Sequence, residues 1–247
     1  MLARALEVVF PQRCAGCGGG PWPFCPECCE RLVALTPPWC ARCGRPWPSA
    51  VPTCRDCPPA PLDGARSPFR FEGPARRAVH RLKFSGWRGV GPALAAAIAA
   101  LDDLPPAADV VTWVPLSRRR LAERGFDQAK VLATGVGRAL DLPVRGLLRR
   151  AIATGPQAQR HAAERRTAMR GVFAARDRIT VPGHVLLVDD VLTTGATAAA
   201  AAEALREAGA RTVYLVAAAR AFPGPTPRAY TRPGPRPGLW LPGDTPR

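Results

Sequence analysis

The chain is almost without lysine: Lys83 and Lys130 are the only two among 35 basic residues. It has two methionines, two tyrosines, three histidines and 6% aromatic residues, and no cysteine after Cys57. Long apolar runs are missing as well. The longest, Ala93 to Leu101, spans nine residues and ends on Asp102 and Asp103. That is too short to cross a bilayer, so no membrane span is expected. Glu7 interrupts the apolar run of Met1 to Phe10, and no small-residue cleavage site follows. No secretory signal is therefore expected, and a cytoplasmic location follows. No Gly-Lys-Ser or Gly-Lys-Thr occurs, which excludes a Walker-type phosphate loop. His80, His161 and His184 stand apart from the cysteines and at no metal-ligand spacing.

What is present is a chain of 247 residues, 47% hydrophobic and 22% charged, with a formal net charge of +16. A buried core is affordable at that composition and global disorder is excluded. The positive charge is nearly all arginine, whose planar fork suits phosphate and carboxylate. It fits a phosphate-rich partner, nucleic acid or a polyphosphate substrate. The competing reading is compositional: Ala, Arg, Pro and Gly all abound, as a GC-rich coding sequence would produce, and arginine then stands in for lysine on solvated faces.

Eight of the nine cysteines form four C-x-x-C pairs, Cys14/Cys17, Cys25/Cys28, Cys40/Cys43 and Cys54/Cys57. Two thiolates three positions apart reach one ion from a tight turn, and four close a tetrahedral zinc site. Two structural Zn²⁺ sites of four cysteines each are expected, in preference to disulfides. Sequential pairing leaves the shortest loops; interleaved pairing remains open. Cys29 is left over. Four thiolates leave no open coordination position, so these sites are read as structural.

Residues 1–60 form this cysteine module, too poor in large apolar residues for a core of its own. Residues 58–65 read as a linker, 66–220 as an α/β domain with a parallel sheet, and 221–247 as a disordered, basic, Pro-rich tail. Strands are expected at 67–71, 110–116, 185–188 and 212–218. Helices are expected at 74–83, 92–101, 127–140 and 196–208.

The chemistry concentrates at His184-Val-Leu-Leu-Val-Asp-Asp-Val-Leu-Thr-Thr-Gly-Ala-Thr197. An apolar strand meets two acids, and a turn of small hydroxylated residues opens a helix. Amides of Thr194 to Thr197 at a helix N-terminus make a cradle for one phosphate monoester. Gly195 permits close backbone approach. Asp189 and Asp190 stand as acceptors for vicinal sugar hydroxyls at the end of a strand, where open α/β sheets bind ligands. Taken singly, each part is an ordinary capped turn; the joint arrangement is far more specific.

Val188 to Thr197 resembles the phosphoribosyl pyrophosphate (PRPP) signature of type I phosphoribosyltransferases. Together with Leu82-Lys-Phe-Ser-Gly86, Val114-Pro-Leu-Ser117, Glu123-Arg-Gly-Phe-Asp-Gln128 and the cysteine pairs, it resembles the ComF family over about residues 8–220. That resemblance implies a small N-terminal double zinc ribbon before a type I phosphoribosyltransferase-like α/β domain, and a link to natural competence and DNA uptake. By position, Asp189 and Asp190 would bind the ribose hydroxyls. Thr193, Thr194, Gly195, Ala196 and Thr197 would hold the 5′-phosphate. Pro115 to Arg120 resembles the pyrophosphate loop, with Arg118, Arg119 and Arg124 beside it. Arg149 to Arg170, with Gln157, Arg165 and Arg166, resembles the loop that closes over substrate. Two departures stand out: Asp127 replaces the family's usual Asn, and an Asn common in the closing loop is missing near Ala168.

Displacement at the anomeric carbon of PRPP, with Mg²⁺ on the departing pyrophosphate, is the reaction the resemblance implies. Three function classes follow: a phosphoribosyltransferase, a PRPP-binding adaptor without turnover, and a single-stranded-DNA module gripping through ribbons and arginines. Trp22, Trp39 and Trp47 are expected to pack the ribbons rather than stack on bases. Domains of this type often pair, which adds a homodimer and competence machinery to the expected partners.

Overall fold

The computed structural model describes residues 13–105, 108–151, 171–222 and 231–233. The cysteine module contributes helix α1 (Pro26–Glu30) and strand β1 (Val33–Leu35). Then come β2 (Gly64–Arg66), β3 (Phe69–Arg70), α2 (Gly73–Phe84) and α3 (Val90–Ala99). They are followed by β4 (Val110–Trp113), α4 (Arg118–Arg124) and α5 (Gln128–Leu140). Strands β5 (Leu148–Arg150) and β6 (Phe173–Ala175) pair antiparallel. The chain closes with β7 (His184–Leu192), α6 (Ala196–Glu207), β8 (Thr212–Arg220) and β9 (Thr231–Pro233).

The main sheet runs β4-β7-β8-β3-β1-β9, with β2 also on β8. Pairings from β4 to β3 are parallel and those of β1 with β3 and β9 antiparallel. Strand alternation divides the core. Leu186 and Val188 of β7 join Val79 and Leu82 of α2, Leu94 and Ile98 of α3, and Leu132 and Val136 of α5 on one face. Val185 and Leu187 join Ala201 and Leu205 of α6 with Leu147 and Phe173 on the other. Period-two strands between helical stripes are the reason both faces are covered.

The cysteine module is not packed apart. Cys14, Phe24, Cys25, Cys28 and Leu32 lie in the same apolar cluster as α2 and α3, and Trp22 packs against it. Its strand β1 extends the main sheet at Ala34↔Phe69. A segment too apolar-poor for its own core borrows one.

Several expected boundaries move. Within 58–65, read as linker, Gly64 opens β2 and pairs with Tyr214. The strand expected at 185–188 runs on to Leu192 because β8 also continues, to Arg220, and keeps it paired. Both acids therefore lie inside the strand. Arg118–Arg124, read as part loop, is a helix capped by Ser117, whose hydroxyl accepts from the Arg120 amide at 3.3 Å. In the tail, Thr231–Pro233 pair with β1; 223–230 and 234–247 lie outside the described residues. Among the described residues, no helix is long and apolar enough to cross a membrane.

Candidate functional site

The eight paired cysteines gather sequentially into two groups, Cys14/Cys17/Cys25/Cys28 and Cys40/Cys43/Cys54/Cys57, each with its sulfurs within 4.8 Å of one another. The S···S separations include 3.7 Å for Cys17–Cys25, 3.5 Å for Cys40–Cys57, 3.6 Å for Cys43–Cys54 and 3.8 Å for Cys54–Cys57. A zinc ion with Zn–S bonds of about 2.3 Å needs tetrahedral edges of about 3.8 Å. The residues present therefore fit structural zinc. Backbone amides also converge on the sulfurs as they would on thiolates. The Gly16, Cys17 and Cys25 amides donate to Cys14 Sγ at 3.3, 3.5 and 3.2 Å. Burial raises the Cys14 thiol, but these donors outweigh it and bring it down to about 7.

Four zinc-bound thiolates keep a net double negative charge, and arginines of the α/β domain face both knuckles. Arg77 and Arg81 of α2 donate to the Gly16 carbonyl at 2.5 Å and to those of Cys14 and Ala15 at 2.9 and 2.6 Å. Arg66 donates to the Ala41 carbonyl at 2.6 Å. Arg220, buried at the end of β8, donates to the carbonyls of Cys43 and Asp56.

The second centre lies at the C-terminal end of the parallel strands. The Val114 amide donates to the Val188 carbonyl at 3.0 Å, so the chain after β4 leaves beside Asp189. After β7, Thr193 and Thr194 are exposed and Gly195 is buried at φ +78°, capping α6. The first-turn amides of α6 have no intrahelical acceptors, and this end of the helix carries its positive partial charge. A side chain at 195 would be strained by that φ and would lie 2.6 Å from Pro58, the residue after Cys57. The second knuckle thus leans on the turn expected to cradle a phosphate.

The two acids are not equivalent. Neighbours in a strand face opposite sides of the sheet. Asp190 points under α2 and α5, where it is 5% exposed and both oxygens are engaged. Lys83 Nζ lies 2.5 Å from Oδ1, and Gln128 Nε2 donates to Oδ2 at 2.6 Å. Asp189 accepts only the Asp190 amide, at 2.8 Å on Oδ1, among the described residues. Its carboxyl is pushed up to about 8, chiefly by burial and next by the charge of Asp190, against the opposing pull of that amide and of Lys83. Gln128 Oε1 is buried without a hydrogen-bond partner, an arrangement that calls for one.

Asp127, the departure from the family pattern, caps α5 by accepting the amides of Ala129 and Lys130 at 3.0 and 3.3 Å. Its other oxygen accepts the Leu116 amide at 3.2 Å and so fixes the Pro115 turn. Arg150 Nε donates to the Pro115 carbonyl at 3.2 Å. Of the arginines expected near pyrophosphate, Arg118 and Arg119 are exposed on α4, and Arg119 pairs with Glu123 at 3.5 Å. Arg124 lines a cavity of about 440 Å³ with Lys83, Phe84, Gly86, Arg120 and Glu123. Gln157, Arg165 and Arg166 lie outside the described residues.

Sequence reasoning passed over Lys83, Gln128, Arg120 and Arg150 as individual site residues. The first two stood inside the quoted motifs Leu82–Gly86 and Glu123–Gln128; only the fold brings them onto Asp190.

The double zinc ribbon domain family matches residues 5–58. The chain is 32% identical over 207 residues to the DNA utilization protein YhgH of Salmonella typhi, covering 78% of this chain and 88% of that protein. It is 30% identical over 195 residues to the competence protein ComFC of Bacillus subtilis, covering 75% and 78%. Among solved structures, glutamine PRPP amidotransferase from B. subtilis matches at 23% identity and a TM-score of 0.40, over 56% of this chain and 30% of that one. With that likeness to YhgH and ComFC along most of its length, the chain belongs to the ComF family.

Proposed function

We propose that the turn after β7 binds PRPP and that the protein works in the handling of incoming DNA, as the names of its relatives indicate for them. The observation that supports this best is the convergence of Lys83, Gln128 and Asp190, from three separated segments, at the end of the strand that leads into the Gly195 turn. The α6 amides and the hydroxyls of Thr193, Thr194 and Thr197 would take the 5′-phosphate, and Asp189 and Asp190 the ribose hydroxyls. Arg120 and Arg124 would face the pyrophosphate. Among the described residues the only groups of three or more ligating side chains are the two cysteine sets. Mg²⁺ would arrive on the diphosphate oxygens and help to neutralise the leaving group. Positioning and fixed charge carry such a displacement. Pyrophosphate release from Mg²⁺-PRPP across a panel of nucleobases separates a transferase, which releases it with one acceptor, from an adaptor, which binds PRPP and releases none.

A second reading has its own observation. Phe71, His80 and Phe84 form a ladder with ring centroids 6.0 and 5.5 Å apart. Phe84 is 66% exposed, and the Arg124 guanidinium lies 4.9 Å from its ring. Exposed rings beside arginines suit single-stranded DNA. Phe84→Ala is expected to weaken oligonucleotide binding by about 1–3 kcal/mol while leaving its salt dependence unchanged. Salt-titrated fluorescence anisotropy measures both, and unchanged affinity would exclude this surface.

A further inference from the structure

Lys83 has two neighbours of opposite meaning. Its ammonium holds Asp190 at 2.5 Å, and it lines the cavity that it shares with Arg120 and Arg124. Among the described residues it is the only cation in an ion pair with Asp190. A sugar hydroxyl approaching Asp190 Oδ1 therefore competes with the Lys83 ammonium for that oxygen. We propose that Lys83 is a positioning residue that exchanges partners. It holds Asp190 as in this structure, and when a diphosphate-bearing sugar phosphate arrives it swings onto the diphosphate and frees Asp190 for the sugar hydroxyls. This deepens the PRPP reading and rests on it.

Three features carry the inference. First, the chain uses arginine almost everywhere and only two lysines. Its static clamps on the zinc knuckles, Arg66, Arg77, Arg81 and Arg220, are all arginines. A compact ammonium on a flexible stem, with no planar fork to lock it, is the cation suited to changing partners. Second, Gln128 holds Oδ2 at 2.6 Å, apart from the Lys83 contact on Oδ1, which would keep the freed carboxylate aimed. The unpartnered Gln128 Oε1 beside it offers a further acceptor. Third, the destination is prepared. The cavity wall carries Lys83, Arg120 and Arg124 against the single acid Glu123, and Glu123 already faces Arg119. A diphosphate there would offer the ammonium several oxygens, against the one Asp190 oxygen it holds in this structure.

The test compares two ligands on the full-length, zinc-loaded protein by titration calorimetry: Mg²⁺-PRPP, and ribose 5-phosphate, which lacks the diphosphate. The unaltered protein is expected to prefer PRPP. In Lys83→Met the PRPP affinity is expected to fall about 10- to 100-fold, the worth of a charge-assisted contact, while ribose 5-phosphate binds as well as before or better. Lys83→Arg is expected to fold normally and to bind both ligands more weakly, because a two-pronged arginine traps Asp190. Equal weakening of both ligands in Lys83→Met, or Lys83→Arg binding PRPP like the unaltered protein, would show a static support and overturn the exchange. An unaltered protein that binds neither ligand overturns the PRPP reading itself.

Discussion

Stripping zinc from the folded protein is expected to unfold the α/β domain together with the ribbons. The zinc knuckles do not hang from the domain; they complete its core. Cys14, Cys25 and Cys28 are in one apolar cluster with Val79, Leu94, Leu132 and Val188. Arg66, Arg77, Arg81 and Arg220 tie both knuckles to strands and helices of the main sheet. A structural zinc site contributes on the order of 10 kcal/mol or more, which matches or exceeds the whole stability of an ordinary domain, about 5–15 kcal/mol. Circular dichroism during chelation should show helix loss in step with zinc release. Cys14→Ser, which breaks the knuckle buried deepest in the core, should lower the melting temperature as strongly. Release of zinc with full retention of helical signal would mean that the two units are energetically independent.

Exchanging the acids should separate binding from stability. Above about pH 8, where Asp189 is ionised, the Asp189→Asn, Asp190→Asn double variant loses two charged acceptors of about 1.5–3 kcal/mol each. PRPP affinity is expected to drop by about 10²- to 10⁴-fold. The single variants should then part company in stability. Asp189 titrates near 8 in the folded protein, above its ordinary value, because burial and Asp190 disfavour its charge. The folded state therefore holds a proton that the unfolded chain has released. Stability is greatest at low pH within this window and falls as pH rises from about 4 to about 8. Asp189→Asn removes that decline and should raise the melting temperature at pH 8.5 by a few degrees. Asp190→Asn does the reverse, since it leaves the Lys83 ammonium without its carboxylate. Thermal melts at pH 5, 7 and 8.5 check this, and a pH-independent difference between Asp189→Asn and the unaltered protein would contradict the assignment.

The cysteine spacing was legible down to its ligand sets because two pairs separated by a short loop have few ways to meet. The strand, turn and helix around Gly195 were legible because an apolar run, acids, hydroxyls and glycine adjoin in sequence. The unequal fates of Asp189 and Asp190 were not. Aspartate disfavours strands, so a strand ending before the pair was the natural reading. Only the partner register Asp189↔Ala217 and Leu192↔Arg220 holds the acids extended and turns them to opposite faces. The contacts of Lys83 and Gln128 with Asp190 join segments brought together by the packing of α2 and α5 on β7, which no local pattern announces. The pairing of β5 with β6 escaped for the same reason: Leu-Arg-Arg and Phe-Ala-Ala carry little alternation. The merging of ribbon and domain could be foreseen only from what the ribbon lacked, large apolar residues of its own.

The most direct measurement is a crystal structure of the protein grown with Mg²⁺-PRPP. The account predicts the 5′-phosphate against the amides of Thr194 to Thr197, the ribose hydroxyls on Asp189 and Asp190, and the diphosphate beside Lys83 and Arg120. A turn left bare at saturating PRPP, with the Lys83–Asp190 pair intact, would contradict it.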